Sequence, residues 1–92
     1  MFFEWDAEKA ARNLRKHEVS FHDAATVFDD AYSTTYPDRD HSEGERRYLT
    51  IGMSKSGKIL VVAHTETEKS FRIFSARLAT RHERKFYEEE RQ

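Results

Sequence analysis

The chain has 92 residues, 36% of them Asp, Glu, Lys or Arg, no cysteine, and a formal net charge of −1. That length suits one domain with a small core, which seven Phe, four Tyr and one Trp enlarge in apolar area per residue. Disulfides and thiolate metal sites are excluded, no basic segment leading into an apolar run opens the chain, and no stretch of 18 apolar residues occurs, so a soluble cytoplasmic protein with no membrane partner is expected.

Phe2-Phe3-Glu4-Trp5 is short, aromatic and β-prone, as an edge strand would be. Asp6 stands as an N-cap before a first helix over residues 7–16, whose Ala7, Ala10, Ala11 and Leu14 make an apolar stripe at helical spacing, read as core. Ser20-Phe21-His22-Asp23 resembles a capping box with Asp in place of Glu and opens a second helix that buries Phe21, Ala24, Ala25 and Phe28. Residues 29–45 hold the one proline, Pro37, and a polar run, so they read as a loop with a short strand at 31–36. Three strands follow at 46–53, 58–65 and 70–75, joined by residues 54–57, where Gly57 allows a positive φ, and by residues 66–69. Residues 59–63 are continuously apolar and belong at the sheet centre. Thr80-Arg81-His82-Glu83 is a capping box for the closing helix, with helical turns beginning as early as Arg77. The order β-α-α-β-β-β-α predicts an α+β domain spanning residues 1–92, with helices packed on a small antiparallel sheet.

The near-neutral total conceals segregation. Residues 69–85 carry six basic side chains against one acid, Glu83, whereas residues 1–30 carry four basic and seven acidic ones. A strand that delivers Arg72 and Arg77 to a helix start concentrates guanidinium groups, backbone N–H donors and the positive dipole end, which suits an anion such as phosphate. The competing reading is a solvated amphipathic helix with ordinary surface charge. An acidic third set against a basic block either presents two faces to two partners or packs together and neutralises itself.

Taken together, Phe3-Glu4-Trp5-Asp6, Asn13-Leu14-Arg15-Lys16-His17, Val19-Ser20-Phe21, Asp38-Arg39-Asp40-His41-Ser42, Gly44-Glu45-Arg46, Arg72-Ile73-Phe74-Ser75-Ala76-Arg77 and Ala79-Thr80-Arg81-His82-Glu83-Arg84 resemble the BrnT family of type II toxin–antitoxin systems. The resemblance covers almost the whole chain and rests on the order and spacing of pieces that are individually unspecific. It implies a RelE-like fold and an endoribonuclease that blocks translation. The implied partners are RNA, a ribbon-helix-helix antitoxin of the BrnA kind, and operator DNA reached through the antitoxin complex. The chain departs from the family pattern at Glu18, where glycine is usual, and at Thr67, where many members carry arginine. Without the catalytic function, the same fold would serve as a binding module acting through antitoxin and operator complexes.

Cleavage of RNA by its own 2′-hydroxyl needs a base, an acid and cations for the pentacovalent phosphate, and arginine suits the last task because its planar fork stays charged. Arg77 and then Arg72 are the candidates for it, with Arg81, Arg84, Lys85 and Lys69 as further RNA contacts. The structural alternative pairs these arginines with Glu45 or an acid on a neighbouring strand. His41, in a polar loop beside Glu43 and Glu45, is a candidate for proton transfer, and Glu45 could act as base or hold an arginine. His17 is expected to close the first helix, His64 to be half-buried, and His82 to be peripheral. Asp38, Asp40, His41, Glu43 and Glu45 match neither an EF-hand loop nor the H-E-x-x-H spacing, so no metal or cofactor is expected.

Overall fold

The computed structural model describes residues 2–41 and 44–91, so Glu43, one of the expected neighbours of His41, lies outside the described residues. Among them, five strands form one sheet: β1 Phe2–Glu4, β2 Thr34–Pro37, β3 Tyr48–Met53, β4 Ile59–Glu66 and β5 Ser70–Leu78, in the spatial order β1-β5-β4-β3-β2. Three helices pack on it: α1 Ala7–His17, α2 Phe21–Ala25 and α3 Arg81–Glu90. Short 3-10 turns cover Thr26–Asp29 and Arg39–His41. The apolar β4 is the central strand, and β2 to β5 pair antiparallel, whereas β1 runs parallel to β5, making the sheet mixed. No helix among the described residues is long and apolar enough to cross a membrane.

Each helix begins at a cap that the local sequence supplies. Asp6 accepts from the Glu8 N–H, Ser20 from the Asp23 N–H, and Thr80 with Glu83 completes a reciprocal capping box. The Asp23 carboxylate is used elsewhere, accepting a 2.7 Å hydrogen bond from the Ser56 hydroxyl. Gly57 takes φ +85° in the β3–β4 hairpin, as expected. Glu18 ends α1 in the left-handed region at φ 58°, its N–H donating to Leu14 O at 2.9 Å. Pro37 sits in β2, an edge strand, where a missing N–H costs least. Thr67 organises the β4–β5 turn, its hydroxyl accepting from the Ser70 and Lys69 N–H groups.

α1 and α2 cover one face of the sheet. Val19, Phe21, Ala24 and Val27 meet Leu60, Val62, Ile73 and Ala76 there, all at most 2% exposed. Tyr87 of α3 is buried against Ile51 and Val61 on the other face. α2 packs by the expected residues, but α1 does not: Ala10 packs on the core, Ala7 and Ala11 are exposed, and Leu14 is 51% exposed. The buried residue of α1 is Asn13. Its Oδ1 accepts from the Ala76 N–H at 3.1 Å, and its Nδ2 donates to Ala76 O at 2.7 Å and Val19 O at 3.0 Å. The amide thereby satisfies both backbone groups of Ala76, a β5 residue beyond the end of β1, as a neighbouring strand would. α1 lies along that edge because a polar side chain fixes it there. The apolar stripe misleads for the same reason.

The last strand runs three residues further than its apolar pattern suggested, to Leu78, so Arg77 is a strand residue and the helix begins only at Arg81. Ala63 pairs with Ser75 and His64 with Ile73, which makes Phe74 the extra residue of a bulge. Five positions apart on a regular strand, Arg72 and Arg77 would face opposite sides. The bulge puts them on one side, opposite Thr65 and Val61 respectively. That side is the one α1 and α2 leave uncovered.

Candidate functional site

Between the flank of α1 and this open face lies a cleft of about 630 Å³. Its floor is a cross-strand row, Leu49, Ala63 and Ser75. Lys9, Arg12 and Lys16 line it from α1 at spacings of three and four residues, which puts them on one helical face, with His17 beside them. Arg47, just before β3, and Arg77 of β5 line the sheet side. The bulged Phe74 lies under two of these cations, 4.1 Å from the Arg47 guanidinium carbon and 5.2 Å from Lys9 Nζ. Five Lys and Arg side chains thus face two carboxylates, Asp38 and Asp40, and the cleft is basic.

The cleft changes the reading of the charge map. Counted along the chain, residues 1–30 are acidic, yet three of their four basic residues, Lys9, Arg12 and Lys16, converge through α1 on the same cavity as Arg77. The clue was present as Lys9, Arg12 and Lys16 at helical spacing. A count over thirty residues averaged it away.

His41 lines the rim. Its Nδ1 lies 3.1 and 3.2 Å from the two Asp38 oxygens, with the imidazole 67% exposed and Asp38 12% exposed. A carboxylate only accepts, so the Nδ1 that faces it is the donor in this contact, and Nε2 is the ring nitrogen not engaged by Asp38. Glu45, expected nearby, is 52% exposed, forms no part of the cleft lining, and stands 3.6 Å from Arg47. Among the described residues no three His, Cys, Asp or Glu side chains group as a metal site would require.

Arg77 enters the cleft held by an acid of its own chain. Its Nη1 donates to Glu83 Oε1 at 2.7 Å and its Nη2 to Glu83 Oε2 at 3.0 Å. The structural alternative for Arg77 therefore has a partner that was not foreseen, six residues on rather than at Glu45. The hydrogen bond from Arg77, reinforced by the Thr80 N–H, outweighs burial and lowers the Glu83 pKa to about 2, and the same pair raises that of Arg77. Convergence of a strand arginine with a helix N-terminus is real, and the anion lodged there is Glu83.

The remaining candidates are dispersed. Arg72 is exposed on β5 outside the cleft, and Lys69 is exposed in the preceding turn. Arg81, Arg84 and Lys85 line a separate groove on α3 with Glu88. His82 is exposed. His64 is not half-buried but 0% exposed, with Nε2 2.7 Å from Thr50 Oγ1 and its ring among Phe28, Phe71 and Tyr48. Burial lowers its pKa to about 4, so at neutral pH it is an uncharged core group.

Residues 5–83 match the family described as ribonuclease toxin, BrnT, of type II toxin–antitoxin systems. The fold is similar to that of the Brucella abortus ribonuclease toxin BrnT, solved by crystallography at 1.1 Å resolution: the TM-score is 0.68 at 20% identity, over 88% of this chain and 100% of the other. No curated protein matches the sequence.

Proposed function

Since the chain belongs to the BrnT family of ribonuclease toxins, we propose that it cleaves RNA in the cleft between α1 and the open sheet face, without a metal ion, and so inhibits translation in the cytoplasm. The observation that carries this reading is the convergence of Lys9, Arg12, Lys16, Arg47 and Arg77 on one cavity with a carboxylate-held histidine at its rim. The cations of α1 hold successive phosphates. His41 Nε2 takes the proton of the 2′-hydroxyl, whose oxygen bonds to phosphorus as the bond to the 5′-oxygen breaks. A proton from solvent completes the departing 5′-hydroxyl, leaving a 2′,3′-cyclic phosphate. Arg77 neutralises the charge that grows on the phosphoryl oxygens. Glu45 holds Arg47, while Arg72, Lys69 and the α3 cations guide RNA or partner from outside the cleft.

The family name supports an antitoxin partner. We assign it the ribbon-helix-helix class, with operator DNA bound through the complex and an acidic segment laid over the basic cleft.

The assignment of Arg77 is tested by Arg77→Lys, which keeps the charge and removes the fork. A folded Arg77→Lys protein should lose most cleavage of a labelled RNA, and wild-type rates in it would reject the role. Induced expression without antitoxin should arrest growth. Absence of both arrest and cleavage would instead favour a binding module.

A further inference from the structure

A guanidinium has two edges that can each grip a pair of oxygens: Nη1 with Nη2, and Nη2 with Nε. In Arg77 the first is filled by both Glu83 oxygens, at 2.7 and 3.0 Å, and the outer Nη1 hydrogen reaches Leu78 O at 3.3 Å. Nε–H and the second Nη2–H, side by side on the other edge, have no partner among the described residues. Arg77 is 39% exposed along its side chain and Glu83 20%, so the pair is partly shielded while Arg77 still borders the cleft. Glu83 is itself fixed, because its Oε1 also accepts the Thr80 N–H at 2.8 Å. The helix that carries it is pinned at its far end by Tyr87, whose hydroxyl donates to Asp30.

We propose that Glu83 is a positioning residue for RNA cleavage: by filling the Nη1–Nη2 edge of Arg77 it aims the Nη2–Nε edge at the scissile phosphate. The proposal rests on the reading of Arg77 given above and adds to it the group through which that arginine is oriented. An arginine tethered only by its aliphatic stem would have to give up rotamer freedom as charge develops. One already held by a fixed carboxylate is preorganised. Glu83 touches no reacting atom in this scheme and acts only through Arg77.

The test separates positioning from helix capping. Glutamine serves the capping box as glutamate does, so Glu83→Gln keeps the start of α3 but turns an N–H group toward Arg77 and breaks the double acceptor. In Glu83→Gln, kcat on a labelled RNA oligonucleotide should fall roughly ten- to a hundredfold, with KM changed less than about twofold. In an Arg77→Lys background the same substitution should change kcat by less than about twofold, since the fork it serves is gone. Thr80→Ala, which weakens the cap and leaves the fork, should lower Tm while sparing kcat. Wild-type kcat in Glu83→Gln with an impaired Arg77→Lys would overturn the role of Glu83 and leave that of Arg77 standing. A fully active Arg77→Lys would overturn the reading of Arg77 itself. Equal losses from Glu83→Gln in both backgrounds, or a loss in Thr80→Ala as large as in Glu83→Gln, would show an effect through helix stability and reject the proposal.

Discussion

Asp38 and His41 are three residues apart, and the tight 3-10 turn between them is what lets one carboxylate reach the other's ring. If the carboxylate fixes the proton on Nδ1, Asp38→Asn removes that preference and allows the unproductive tautomer. Cleavage should fall by at least about tenfold, with little change in RNA affinity, measured by rate and by oligonucleotide binding. Glu18 offers an opposite case, a residue at odds with its own backbone. Its φ of 58° suits glycine, and a side chain there costs energy that the hydrogen bond to Leu14 O must offset. Glu18→Gly should raise stability by about 0.5–1 kcal/mol in urea denaturation and leave cleavage unchanged. Glu18 was legible as a departure from the usual glycine; the turn keeps the left-handed geometry and bears the strain.

At the level of elements, legibility followed how local the determinants were. Asp6, Ser20 and Thr80 announced the helix starts because a cap is written in three or four consecutive residues. The central position of β4 followed from its unbroken apolar run. The end of β5 was hidden, since Arg77 alternates with Ala76 and Leu78 in a way that a helix start also permits. The bulge at Phe74 was hidden too, because it is a mismatch between two strands and neither strand shows it alone. The site suffered most: of the four catalytic candidates, His41 and Arg77 line the cleft, while the α1 cations beside them were passed over. Close approach between elements was likewise invisible. At Gly52 of β3 a Cβ would stand 2.7 Å from Val27 Cγ1 and 3.0 Å from Ser33 Cβ, so the turn over residues 26–29 packs directly on the strand. Gly52→Ala should cost about 1–3 kcal/mol in Cm-derived stability, and an unchanged midpoint would mean the turn can retreat freely.

For the whole molecule, groups whose pKa is lowered by the fold set an acid limit on stability. Asp30 is one, held down against its burial by hydrogen bonds from the Met53 N–H and the Tyr87 hydroxyl, and His64 and Glu83 are the two with the larger shifts. His64 has its pKa lowered by burial from 6.5 to about 4, so between those values the unfolded chain binds a proton that the folded chain refuses. Stability therefore falls as pH drops from 6.5 to about 4. Glu83, lowered from 4.5 to about 2 by its pairing with Arg77, extends the loss below that, its contribution being complete above pH 4.5 and gone near 2. Melting temperatures taken at pH 7.5, 5.5 and 4 should decline in the wild type. The decline above pH 4.5 should flatten in His64→Gln, which retains a polar partner for Thr50. The cleft predicts a second global property. RNA affinity should fall with salt at a log–log slope of about −0.7 per phosphate contact, and Lys9→Gln, Arg12→Gln and Lys16→Gln should each remove about one such increment. Equal slopes in wild type and triple variant would place the RNA elsewhere.

The Asn13 amide has a consequence for how copies of this protein meet. A sheet ending in open N–H and C=O groups recruits the strands of other molecules, and β1, three residues long, covers only the first part of β5. Asn13 shields the next part with one side chain, leaving no receptive ladder at Ala76 for a foreign strand to join. Asn13→Leu would keep the bulk and strip that shield, so its first symptom should be concentration-dependent association, seen by light scattering at temperatures where the monomer is still folded.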